Sequence, residues 1–200
     1  MTIPVLAISE LNKGWGICGF ASVLGALHQN GVFTGTIDHA VTHNQLNTRL
    51  LAEIKTYLVV LQSEESGLID EIERFTRTFG GPFSGFTIDN YIKKVNTISS
   101  SPPNLSDSGF SIAMPPNAVV DYLDRVAGKK AVLTPDPTHV RNNVILGLGD
   151  KTKPGGEWKG LGHWVYKKTD LEIYNWGKQE TQAELLKHDK NWQIVYQIII

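Results

Sequence analysis

The spacing of apolar residues predicts helices in the first two thirds of the chain. From Cys18 to Leu27 apolar side chains recur every three or four residues, as they do on one face of a helix. The same spacing predicts further helices over residues 37–61, 65–79, 87–95 and 116–126. Gly31 and Gly128 mark the ends of the first and last helices, because glycine is common just after a helix.

Beyond Lys130 the pattern changes to short strands. We predict strands over residues 131–134, 143–148, 163–167, 171–175 and 192–200. The two glycines in residues 147–150 indicate a turn that overlaps the end of one strand. Helices followed by strands define the α+β class. We expect one domain over residues 1–200, with a helical lobe over about residues 1–128 and a sheet lobe over about residues 129–200.

Residues 99–115 separate the last two predicted helices and are rich in Ser, Pro, Asn and Gly. Such a composition does not continue a helix or a strand, so we predict a long loop. Its role stays open between a lid over a site, a cleaved propeptide-like segment and a linker between lobes.

Composition limits the possible partners and compartments. The formal net charge of −1 argues against a general nucleic-acid binder, which needs clustered Lys and Arg. The single cysteine precludes an internal disulfide and leaves one thiol free. The first ten residues lack the features of a cleaved signal, and no stretch has the ~20 apolar residues of a membrane span. We expect a cytoplasmic protein, or one secreted without a cleaved signal.

Cys18 is the first candidate for chemistry. It follows a glycine-containing segment and opens the first predicted helix. Unpaired backbone N–H groups and the positive end of the helix dipole meet at such a position. We therefore expect the pKa of the Cys18 thiol to fall and the residue to act as a nucleophile.

His163 and Asn175 are the candidate partners of this thiol. His163 begins a predicted strand, and Asn175 ends the next strand just before Trp176. A lone cysteine with a distant His and an Asn or Asp is typical of thiol hydrolases. Asp170 is an alternative residue to orient the histidine, but it lies in a predicted turn. We prefer Asn175 because its side chain should emerge at the end of a strand.

These motifs resemble those of the papain-like cysteine hydrolases. That family has a Gln six positions before the cysteine and a Gly two positions before it, and here Asn12 and Gly16 occupy these places. The aromatic residue and Ala that follow the family's cysteine come one position late, because Gly19 is inserted. The family's Asn-Ser-Trp-Gly motif corresponds to residues 175–177 without the Ser.

The resemblance implies both a fold and a function. The fold is a two-lobed papain-like domain with an antiparallel sheet. It implies that Cys18 attacks an amide through a thioester intermediate, with His163 as the base and Asn175 as its orienting residue. Asn12 would donate to the oxyanion together with the Cys18 backbone N–H. The substrate cleft would be lined by Gly16, Gly162 and Trp176, with Trp176 shielding the hydrogen bond between His163 and Asn175. No cofactor is implied.

Several functions share this chemistry. The enzyme could cleave the main chain of a protein or peptide substrate, deamidate or transamidate a Gln or Asn side chain, or act as a peptidoglycan amidase. A bacterial effector or toxin with a host target, or an enzyme with an activating partner, would also fit. The substitution at Asn12 and the inserted Gly19 leave a catalytically inactive binding module as the alternative from another class.

A metal site is not expected. Asp38, His39 and His43 include the spacing of two ligands on one helix face, but neither a third ligand nor an HExxH motif accompanies them. We predict that these residues form a polar helix face.

Overall fold

The structure is a computed structural model that describes residues 7–10, 16–32, 43–80, 85–99 and 111–200. Residues 7–10 are helical. The elements that follow are helices α1 (Cys18–Gln29), α2 (His43–Ser63), α3 (Leu68–Arg77), α4 (Ile88–Ser99) and α5 (Pro116–Ala127), then strands β1 (Val132–Pro135), β2 (Val144–Asp150), β3 (Leu161–Thr169), β4 (Glu172–Asn175) and β5 (Lys178–Glu180), helix α6 (Gln182–Leu185) and strand β6 (Trp192–Ile199).

The six strands form one sheet in the order β1-β6-β2-β3-β4-β5, and each neighbouring pair is antiparallel. Strand β3 lies inside this sheet, between β2 and β4. In its register His163 pairs with Leu148 and Tyr166 pairs with Tyr174. His163 therefore pairs with β2 on one side, whereas the pairing of β3 with β4 begins three residues later, at Tyr166.

The predicted α+β class is confirmed, with helices in the N-terminal part and the antiparallel sheet in the C-terminal part. Helix α1 ends two residues later than predicted, and α4 continues through Ser99 rather than ending at Val95. The start of the helix predicted over residues 37–61 lies outside the described residues, as does most of the loop predicted over residues 99–115.

The turn predicted at residues 147–150 is wrong, because these residues belong to β2. Their glycines serve close packing instead of a turn. A Cβ on Gly147 would lie 2.9 Å from the Trp164 ring, and one on Gly149 would lie 2.9 Å from the Val195 side chain. Glycine in a strand often marks such a close approach.

Two short elements were not predicted. Strand β5 has three residues and helix α6 has four, so neither shows a hydrophobic period. Helix α6 does begin with a capping box, in which the Thr181 side chain accepts from the Glu184 backbone N–H. The Thr-x-x-Glu spacing is a sequence signal for that helix start.

The hydrophobic core joins the helices to one face of the sheet. Phe20 and Leu24 of α1 belong to the same buried cluster as Trp164 and Tyr166 of β3. Val165 points to the opposite face, where it packs in a second cluster with Leu185 of α6. Because side chains alternate along a strand, β3 contributes to both clusters. The helix that begins with Cys18 therefore packs directly on the strand that carries His163.

Candidate active site

The N-terminus of α1 is fixed by its contacts with residues 111–114. Gly16 and Ser111 form a parallel bridge, and the Ile112 N–H donates to the Gly16 carbonyl at 3.0 Å. The Trp164 indole on β3 donates to the Met114 carbonyl at 2.9 Å. Helix α1 and strand β3 are thereby joined through one short segment.

Gly19 is required by this packing. A Cβ at position 19 would lie 2.8 Å from the Met114 sulfur and 2.9 Å from the Met114 Cβ. A real side chain would force these two segments apart. The glycine that distinguishes this chain from the papain-like pattern thus has a steric role beside Cys18.

Cys18 is a half-buried residue at the start of α1. Backbone hydrogen bonds from Trp164, Gly19 and Cys18 itself act to lower its pKa, but burial outweighs them and raises the pKa to about 11. The lowered pKa that the sequence predicted is therefore wrong. Backbone dipoles at a helix start do favour a thiolate, but they do not offset the loss of its hydration.

His163 is buried on β3, and Asn175 fixes the position of its proton. The ring Nε2 lies 2.8 Å from the Asn175 Oδ1, and the Asn175 Nδ2 donates to Glu180 at 2.9 Å. A carboxylate accepts only, so the amide NH₂ faces Glu180 and the amide oxygen faces His163. The His163 Nε2 therefore carries the hydrogen, and Nδ1 is free of one in the neutral ring.

Burial also lowers the pKa of His163 to about 4. At neutral pH the ring is an unprotonated imidazole that can accept a proton at Nδ1. Together with the raised pKa of Cys18, this sets the resting state of the site as a neutral thiol and a neutral imidazole.

Two indoles hold the His163 ring. Trp176 stacks on it at a centroid distance of 4.8 Å and Trp192 at 5.6 Å, with interplanar angles of 29° and 22°. Trp176 has φ 46° and Gly177 has φ 75°, as in the two-residue turn of a type I′ hairpin between β4 and β5. The Gly177 N–H donates to the Ser9 hydroxyl at 3.0 Å.

Cys18 and His163 line one cavity of about 420 Å³. Gly16, Gly162 and Trp176, which the sequence placed at the substrate cleft, line the same cavity. The rest of its wall is mainly apolar and includes Phe75, Phe79, Tyr91, Met114 and Trp164. A cavity of this size with few polar groups is typical of a site for an organic ligand.

The two candidates for orienting His163 lie in different places. Asn175 is buried and hydrogen-bonded to the His163 ring. Asp170 is exposed and forms an ion pair with Lys167 at 2.6 Å. Between these two candidates, the structure places Asn175 beside the histidine. Asn12, the predicted oxyanion donor, lies outside the described residues.

Three residues of the site were not predicted. Glu180 bonds to Asn175, His188 bonds to Glu180, and Trp192 covers the His163 ring. Each lies more than ten residues after His163 on a separate element or loop, and no motif joins them in the sequence. Only their convergence in the folded sheet shows that they belong together.

The described ranges contain neither a cluster of metal ligands nor a helix suited to a membrane. No group of three His, Cys, Asp or Glu side chains there could hold a metal ion. Asp38 and His39 lie outside those ranges. None of the helices described is both long and apolar enough to cross a membrane.

Comparison with protein-family models, with curated proteins and with solved structures gave no match for this chain.

Proposed function

We propose that the protein is a papain-like cysteine hydrolase that cleaves amide bonds through a thioester on Cys18. One observation carries this proposal. The Cys18 thiol and a neutral His163, oriented by Asn175, line the same cavity. A nucleophile beside a base that a third group orients is the arrangement used for acyl transfer.

The first step starts from the neutral pair. The Cys18 sulfur attacks the substrate carbonyl carbon while the His163 Nδ1 takes the thiol proton, and the carbonyl π electrons move to the oxygen. Backbone N–H groups at the start of α1 would stabilise that oxyanion, with Asn12 as the second donor. The proton moves during attack because the raised pKa of Cys18 and the lowered pKa of His163 disfavour a charged pair before it.

The second step releases the two products. The protonated His163 gives its Nδ1 proton to the leaving nitrogen, the C–N bond breaks, and a thioester remains on Cys18. His163 then takes a proton from water as the water attacks the thioester carbonyl. Breakdown of this second adduct releases the acid, and the proton returns to the Cys18 sulfur.

The general arrangement of helices and sheet also supports this proposal. Helices carry the thiol, an antiparallel sheet carries the histidine, and the cavity lies where the two meet. A papain-like enzyme of two lobes would place its substrate in that position. The cleft would then lie between the helical part and the sheet part.

The wall of the cavity favours an apolar group beside the scissile carbonyl. Phe75 lies on α3, Phe79 on the segment after it and Tyr91 on α4, and Trp164 and Met114 also line the cavity. Burying an apolar side chain here gains roughly 25 cal/mol for each Å² removed from water. A protein or peptide substrate with such a side chain fits the site.

Mass spectrometry of a digested protein tests the proposal. Denatured casein is incubated with the wild type and with Cys18→Ala as the matched control, and the products are sequenced. We expect cleavage of the main chain near apolar residues with the wild type only. Conversion of Gln or Asn side chains to Glu or Asp, without cleavage, would overturn main-chain hydrolysis in favour of a deamidase. Identical products from both proteins would contradict the enzyme and favour a binding module.

A further inference from the structure

We propose that Glu180 is a positioning residue that acts on His163 through Asn175. The Glu180 Oε1 accepts from the Asn175 Nδ2 at 2.9 Å, and the Asn175 Oδ1 lies 2.8 Å from the His163 Nε2. All three side chains are buried. The structural part of this inference stands by itself, while its catalytic consequence rests on the proposed hydrolase function.

The Glu180 carboxylate has a second partner that holds it in place. The His188 Nε2 lies 2.6 Å from the Glu180 Oε2. A buried carboxylate that lacks such partners is costly, so its two hydrogen bonds fix its position. His188 also packs against Trp176 in a T-shaped arrangement, at 5.8 Å between ring centroids and an interplanar angle of 74°. The network therefore supports both Asn175 and the indole that covers His163.

An asparagine alone would not fix the His163 proton. The two ends of its amide have nearly the same shape, and a flipped amide would present Nδ2 to the His163 Nε2. The ring would then need its hydrogen on Nδ1 and could not accept a proton from a thiol there. In this protein a flipped amide would point the Asn175 Oδ1 at the Glu180 carboxylate, so two oxygen acceptors would face each other with no hydrogen between them. The carboxylate therefore excludes that orientation.

The Glu180 charge has a second effect. Its negative charge raises the pKa of His163, against the larger lowering by burial, while His188 acts in the opposite direction. Glu180 therefore stabilises the imidazolium that forms when His163 takes a proton. Glu180 would thus both position His163 and stabilise its protonated ring during proton transfer.

Two substitutions separate these effects. Glu180→Ala removes the acceptor, so the Asn175 amide is free to flip. Glu180→Gln keeps an oxygen for the Asn175 Nδ2 but removes the charge. Glu172→Gln is the control, because it removes a carboxylate from the neighbouring strand β4 that pairs with Lys168, whereas the Asn175 Nδ2 donates to Glu180.

The first readout is the ¹⁵N chemical shifts of the His163 ring, which report the position of its hydrogen without any substrate. We expect the wild type, Glu180→Gln and Glu172→Gln to hold it on Nε2, and Glu180→Ala to populate the Nδ1–H form. A folded Glu180→Ala protein that keeps the wild-type form would overturn the inference. If Glu180→Ala does not fold, titration of Glu180→Gln decides, because loss of the negative charge must lower the pKa of His163. An unchanged pKa would overturn the inference.

The second readout is the rate at which Cys18 is acylated by an activated ester. We expect the acylation rate to fall by about 10- to 100-fold in Glu180→Ala, to recover in part in Glu180→Gln and to stay at the wild-type value in Glu172→Gln. A shifted His163 hydrogen with no acylation even in the wild type would contradict the hydrolase and leave the positioning role in place. A His163 hydrogen that stays on Nε2 in Glu180→Ala, together with normal acylation, would contradict the positioning role and leave the hydrolase in place.

Discussion

Cys18 and His163 gain their chemical character mainly from burial. The end of a helix stabilises a charge by about 0.3–1 kcal/mol, whereas removing a charged group from water costs considerably more. The thiol therefore stays protonated with a pKa of about 11, and the imidazole stays neutral with a pKa of about 4. In the proposed mechanism His163 would act as a general base, and the pair would stay neutral until a substrate binds.

The pH dependence of alkylation at Cys18 tests this resting state. Iodoacetamide reacts with the thiolate, so its rate should be low at neutral pH and should rise toward the pKa of about 11. The alkylation rate of a free cysteine, which has a pKa of about 8.5, rises at a lower pH. His163→Ala should keep the alkaline rise. Fast labelling below neutral pH that His163→Ala abolishes would contradict the neutral pair and indicate a preformed thiolate–imidazolium pair.

Single residues show what the sequence could and could not predict about the site. Cys18 and His163 were candidates because of their motifs, and Asn175 was preferred over Asp170 from its place at a strand end. The sequence could not predict the pKa of Cys18, since burial depends on distant segments that close around it. Nor could it predict Glu180, because its role depends on a hydrogen bond across a hairpin.

The hairpin between β4 and β5 controls the aromatic cover of His163. Its two turn residues, Trp176 and Gly177, both have positive φ, and Trp176 pays a conformational cost there that glycine does not. The pairing of Asn175 with Lys178 closes the turn. Asn175 bonds to the edge of the His163 ring and Trp176 stacks on its face, so one local structure places both contacts.

Replacement of the turn glycine tests this dependence. Gly177→Ala puts a Cβ at φ 75° and 3.0 Å from the Glu10 Cβ, so we expect a loss of about 1–3 kcal/mol in the free energy of unfolding. Chemical denaturation measures it. Gly156→Ala is the matched control, because a Cβ there meets nothing within 4 Å, and its effect should stay within about 0.5 kcal/mol. Equal effects of the two substitutions would refute the role of the turn.

Long elements with a regular spacing of hydrophobic residues were predicted better than short elements. Helices α1 and α5 begin where the pattern begins, at Cys18 and Pro116. Strand β5 has no such pattern, and the polar sequence of its three residues does not distinguish it from a loop. The glycines of β2 indicated a turn because their packing against Trp164 and Val195 is a tertiary contact that local sequence does not contain.

Across the whole molecule, one hydrophobic core joins the helix that begins with Cys18 to the strand that carries His163. The largest buried cluster contains residues of α1, α2, α5 and the sheet, so the helical part and the sheet part share it. The cavity opens where α1 meets β3, beside α3 and α4. The order of helices and strands predicted this architecture in outline, but the packing that forms the cavity depends on side chains far apart in the sequence.

Acylation of Cys18 by an activated ester tests the central claim most directly. The 4-nitrophenyl ester of N-acetylphenylalanine carries an apolar group for the cavity, and intact-mass spectrometry locates the acyl group. We predict a stoichiometric acyl-enzyme on Cys18 near neutral pH, absent in Cys18→Ala and formed roughly 10²- to 10⁴-fold more slowly in His163→Ala. A wild-type protein that gains no acyl group, or a His163→Ala variant that reacts as fast as the wild type, would contradict a nucleophile activated by His163.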